Sequence, residues 1–66
     1  MNYNPENFKK YVSKQVHIFY NNSAGNPCDI VANITGCHKT LIIAEVDGTI
    51  EVPIPFVNIK YVDYVE

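Results

Sequence analysis

At 66 residues, 47 % of them hydrophobic, the chain has room for one core and is too apolar for a disordered segment. The net charge is −2, only 18 % of residues are charged, and the lysines come without a single arginine. That balance counts against a sequence-specific duplex reader, because arginine supplies the bidentate fork for phosphate and guanine. No stretch approaches the roughly 20 apolar residues of a membrane span, and the opening residues lack the basic and apolar regions of a signal peptide, so the expectation is a cytoplasmic protein without membrane contact.

The apolar residues are mostly Val, Ile and Tyr, with one leucine, Leu41. β-branched and aromatic side chains suit a half-buried pleated surface, so the predicted class is mostly β. A helix is predicted first, over residues 5–12. Asn4 is its N-cap, Pro5 its first residue and Glu6 lies in the first turn, while Phe8, Tyr11 and Val12 form one apolar stripe.

Strand patterning follows over residues 15–20, with Val16, Ile18 and Tyr20 on one face and His17 and Phe19 on the other. The run from Asn21 to Pro27 is a loop of turn formers. The second strand, 28–35, carries Ile30, Ala32 and Ile34 on one side, and Gly36 is read as a sharp bend after it. Strands at 40–46 and 49–54 flank Asp47-Gly48, a type I′ hairpin signal. A two-residue turn there pairs Glu45 with Ile50, Ile43 with Val52 and Leu41 with Ile54. Leu41, Ile43, Ile50, Val52 and Ile54 then form the buried face. A turn at 55–58 leads to the fifth strand, 59–65. Residues 1–66 thus read as a single domain, a small five-stranded antiparallel barrel of SH3-like or Sm-like type with a short N-terminal helix.

The segments Val16-His17-Ile18-Phe19-Tyr20, Ile30-Val31-Ala32-Asn33-Ile34-Thr35-Gly36, Thr40-Leu41-Ile42-Ile43 and Ile54-Pro55-Phe56-Val57-Asn58-Ile59-Lys60-Tyr61-Val62 resemble, as a pattern, the Sm-like superfamily that includes the Hfq-type RNA chaperones. The resemblance implies a helix followed by five bent strands, and rings in which strand four of one subunit pairs with strand five of the next. The family's uridine-pocket motifs are unmatched. Cys37-His38-Lys39 stands where an Asp and an Asn are usual, and Pro55-Phe56 stands near the basic-glycine element. By analogy with the family's loop positions, Asn33, His38, Lys39 and Asn58 are the candidate ligand-binding residues. Tyr61, Val62 and Tyr64 on the last strand and Glu51 on the fourth are the candidate interface. Pro53, without an N–H, is expected to bend strand four or limit its pairing.

No catalytic set is legible. Ser13, Ser23, His17, His38, Asp29 and Asp63 are presented by no nucleophile motif. Cys28, Cys37, His17 and His38 lack the tight pair spacing of a structural zinc site, so neither metal nor cofactor is expected. A Cys28–Cys37 disulfide is disfavoured by a reducing compartment. The expected function is a non-catalytic Sm-like binding module, homo-oligomeric through strands four and five and engaging RNA or a small nucleotide ligand. The alternative is an SH3-like domain that binds another protein and no nucleic acid.

Overall fold

A computed structural model describes residues 3–65. Helix α1 spans Pro5–Phe8 and tightens into a 3₁₀ turn at Lys9–Tyr11. It is shorter than the 5–12 predicted, because Val12 is already extended (ψ 133°) and Ser13 adopts a left-handed φ of 69°. Its start is capped from both sides. The Asn7 N–H donates to Asn4 Oδ1 and the Asn4 N–H donates to Asn7 Oδ1, each at 2.9 Å, so that two otherwise orphaned amides are satisfied. A helix this short needs tertiary support. Phe8 supplies it, fully buried among the rings of Tyr3, Tyr11 and Phe56 at 5.7, 4.8 and 5.8 Å.

The strands are β1 (Gln15–Asn21), β2 (Pro27–Cys37), β3 (Leu41–Val46), β4 (Ile50–Pro55) and β5 (Ile59–Tyr64), with a 3₁₀ turn at Phe56–Asn58 before the last. They form one antiparallel sheet in the order β4-β3-β2-β1-β5. The chain leaves α1 through a latch on β2, where the Ser13 N–H donates to the Ile34 carbonyl at 2.8 Å and the Ile34 N–H returns to the Lys14 carbonyl at 3.1 Å.

The sheet is open. Its edges are β4 and β5, which are not hydrogen-bonded to each other, so the closed cylinder expected from the sequence is not completed by pairing. It is nevertheless strongly coiled. In a flat sheet of this order Pro55 and Ile59 would sit on opposite edges, about 19 Å apart at ~4.8 Å per strand, whereas four residue steps reach only about 14 Å. A register shift between Ile34 and Gly36 bends β2 and helps the sheet turn on itself. Gly36 therefore lies inside β2 and not in a bend after it. Its missing side chain makes room for His38 and Ile43, whose atoms would lie 3.1 and 3.3 Å from a Cβ built there.

The β3–β4 hairpin corrects the predicted register. Asp47 and Gly48 take positive φ, 56° and 75°, as foreseen, but Thr49 joins them in the loop and Val46 pairs with Ile50. One residue of slip exchanges the faces of β3. Ile42 and Ala44 are buried, together with Ile54 of β4, while Leu41 and Ile43 are only half-buried and Ile50 is exposed. The rest of the core is Phe8, Tyr11, Val16, Ile18, Ala32, Ile34, Phe56, Ile59 and Val62. Each large side chain in that set contributes roughly 1.5–3 kcal/mol by leaving water.

Candidate functional site

Hydrogen-bond alternation decides which backbone groups the two edges offer. The Val65 N–H donates to the Gln15 carbonyl, and the register runs on from there through Val16–Tyr64 to Phe19–Tyr61. Alternate pairs in an antiparallel ladder exchange bonds, so Asp63 and Tyr61 turn their amides toward β1, whereas Val62 and Tyr64 turn theirs outward. On the other edge the Phe56 N–H donates to the Thr40 carbonyl, and the β3–β4 register is unbroken. The outward positions of β4 are then Glu51, Pro53 and Pro55. Both prolines stand where an N–H would have pointed at a neighbouring strand. They cost the hairpin no internal bond and leave Glu51 as the sole donor along that stretch. β5 keeps its N–H groups, but the Tyr3 hydroxyl takes the one at Val62 and leaves the one at Tyr64 free. Burial raises the pKa of the Tyr3 hydroxyl, while a hydrogen bond to the Val62 backbone acts the other way.

The predicted interface residues divide accordingly. Tyr61 and Tyr64 are about half exposed, 53 % and 54 %, and lie on opposite faces, with Tyr64 packed on Tyr11 at 5.1 Å. Glu51 is exposed, opposite Glu45. The Val62 side chain is buried in the core, and only its backbone reaches the edge.

The outer face of β5, β1 and β2 holds an aromatic row that the sequence reading did not assemble. His17 stacks on Phe19 at 4.3 Å with the planes 29° apart, and Phe19 meets Tyr61 at 5.9 Å. His17 Nε2 lies 2.8 Å from Asp29 Oδ2. The pKa of Tyr61 is raised, first by hydrogen bonding to Asp63 and then by the charge of that carboxylate. The signal for this row was present in the period-2 pattern of β1. What was missing was the partner strand, because β5 pairs with β1 across most of the chain.

The predicted ligand residues do not converge. Asn33 is exposed on β2, opposite Gln15 and Glu45. His38 and Lys39 are exposed in the β2–β3 turn, where the His38 N–H donates to the Leu41 carbonyl at 2.8 Å. Asn58 alone lines a cavity, a cleft of about 500 Å³ between the end of β4 and the β1–β2 loop. Its floor is Leu41, Val52, Ile54, Pro53, Pro55 and Tyr20, and its rim is Asn21, Asn22, Ser23 and Asn58, with no charged group. Asn22 braces that rim, since its Oδ1 accepts from the amides of Ala24 and Asn26, each at 3.0 Å.

Cys28 and Cys37 are free thiols near opposite ends of β2, too far apart for a bond to each other. Among the described residues no three His, Cys, Asp or Glu side chains gather where a metal would sit, and no helix is long and apolar enough to cross a membrane. Comparison with family models, curated proteins and solved structures finds no match.

Proposed function

We propose that the chain is a non-catalytic Sm-like binding module that assembles with further copies of itself through β5. The strand order supports the reading, because it leaves β4 and β5 as edges, the two strands that join subunits in the resembling superfamily. The observation that carries it is the asymmetry between them. β5 presents a free outward amide at Tyr64 beside the exposed side chains of Tyr61, Tyr64 and Val65, the Val62 amide being taken by the Tyr3 hydroxyl, whereas β4 presents prolines. An exposed, donor-bearing, Tyr-rich edge is a template for strand addition. A β4-to-β5 junction would run on half a ladder, with the Tyr64 amide reaching a β4 carbonyl and only Glu51 donating in return. Two β5 strands related by a twofold axis each supply the Tyr64 donor to the other, so the assembly proposed is an isologous dimer.

Light scattering across a concentration series tests it. The expected mass is two subunits, reduced to one by Tyr64→Pro, which removes an outward donor and no internal bond. A monomer at every concentration, or a ring unaffected by Tyr64→Pro, overturns the β5 dimer. RNA or a small nucleotide is the ligand class proposed for the module, although the uridine-pocket motifs of the resembling superfamily are unmatched, and thermal melting against single-stranded RNA and a nucleotide panel tests it by stabilisation. The alternative reading, an SH3-like domain that binds another protein, is favoured by one observation of its own, the acidic character of the outer sheet face.

A further inference from the structure

The pairings of β1 with both neighbours put six side chains of the outer face in two rows of three. Tyr61, Phe19 and Asp29 form one row; Asp63, His17 and Val31 form the next. Rings occupy the middle, and the two carboxylates stand at diagonal corners. Two strand spacings of about 4.8 Å and one pleat repeat of about 6.8 Å put those corners roughly 12 Å apart. The surface is open, with Val31 44 % and Tyr61 53 % exposed. None of the six paired positions is a lysine. Lys9 and Lys10 are in the 3₁₀ turn, Lys14 precedes β1, Lys39 is in the β2–β3 turn, and Lys60 lies beyond Tyr61 toward the start of β5. The same face continues over β3 and β4 with Glu45 opposite Glu51.

We propose that this face is the docking surface for a basic, extended protein segment with cationic side chains at positions i and i+4 and an apolar one midway. Charge complementarity selects the occupant. A polyanion, an anionic membrane or a second copy of the same face would be repelled by the carboxylates, whereas a guanidinium meets the carboxylate oxygens not used by His17 and Tyr61, and a ring face for cation–π contact. Four residues of extended chain span about 13 Å, close to the diagonal between the Asp29 and Asp63 corners. The midway side chain then falls over Phe19 and His17. The face is distinct from the outward edge of β5, so the inference does not depend on self-association.

The test is a titration of the ¹⁵N-labelled full chain with the blocked peptide Arg-Thr-Val-Thr-Arg. Amide shifts are expected to centre on His17, Phe19, Val31 and Tyr61. Asp29→Asn combined with Asp63→Asn, both at exposed positions, is expected to weaken binding about tenfold, with salt weakening the wild type in the same direction. Tyr64→Pro is expected to bind as the wild type does, which separates this face from the β5 edge. Four results would overturn the proposal: no shifts at millimolar peptide, shifts centred elsewhere, equal binding of a control with adjacent arginines, or a uridine oligonucleotide occupying the same face.

Discussion

Glu45 and Glu51 stand directly opposite each other across β3 and β4, so a cross-strand pair is occupied by two like charges. The pair does not exchange backbone bonds, which is the closer of the two antiparallel spacings. Like charges so placed are destabilising, and an opposite-charge pair contributes roughly 0.2–1 kcal/mol. Glu51→Lys is therefore expected to stabilise the fold by about 0.5–1 kcal/mol. Urea denaturation with an unchanged m-value checks it, and the gain should shrink in high salt. A variant no more stable than wild type in low salt contradicts the electrostatic account.

Phe8 ties the N-terminal segment to the sheet. It is fully buried against three rings and lies beside the 3₁₀ turn that hands the chain to β1. Phe8→Ala is expected to cost about 3–5 kcal/mol. A 66-residue domain has a total stability of roughly 3–10 kcal/mol, so this variant is expected to lose about a third or more of it and to melt well below wild type by circular dichroism. Phe8→Leu keeps most of the volume and is expected to fold with a lowered Tm.

Local chemistry made most of the elements legible. Asn4-Pro5-Glu6 marked the helix start, the alternation in β1 and β2 marked their buried faces, and Asp47-Gly48 marked the hairpin with positive φ at both positions. The errors lay where one residue changes parity. Asp47-Gly48 alone suits a two-residue loop, and including Thr49 moves Ile42 and Ala44 into the core in place of Leu41 and Ile43. Both faces of β3 are apolar, so its sequence pattern had no means of choosing between them.

Pro53 was recognisable as a limit on edge pairing, but its effect depends on whether it points inward or outward. Only the Phe56–Thr40 bond fixes that, and it places Pro53 and Pro55 together on the outward side. The aromatic row was hidden for a different reason. Its members are far apart in sequence and meet only because β5 lies beside β1.

Ser13 and Gly48 test the backbone in opposite directions. Ser13 holds a φ of 69° at the latch to Ile34, a conformation that costs a side-chain-bearing residue about 1–2 kcal/mol. Glycine relieves that cost but loses roughly 0.5–1 kcal/mol of chain entropy on folding. Ser13→Gly is thus expected to be stabilising by about 0.5–1 kcal/mol. Gly48→Ala meets no steric neighbour, yet its φ of 75° makes it destabilising by about 1–2 kcal/mol. Paired thermal melts should move in opposite senses. A Ser13→Gly variant that melts lower would mean that the left-handed residue is not strained.

Alkaline pH should unfold the protein through its buried and half-buried phenols. The pKa values of Tyr3, Tyr11 and Tyr20 are each raised above the ordinary 10.0, first by burial; for Tyr11 the neighbouring Tyr64 and Asp63 add to it, and for Tyr20 Cys28 and Asp29 do. A raised pKa means that the folded state holds its proton more tightly than the unfolded chain. This contribution is therefore complete below the unfolded value and is lost as pH climbs through the folded one. Tm is expected to stay level up to about pH 10 as far as these groups are concerned, then to fall. Lysines titrate nearby, so the phenol contribution is isolated by Tyr20→Phe and Tyr11→Phe, which cannot ionise. Each should flatten the descent above pH 10 relative to wild type, and an unchanged slope in both would assign alkaline unfolding to other groups.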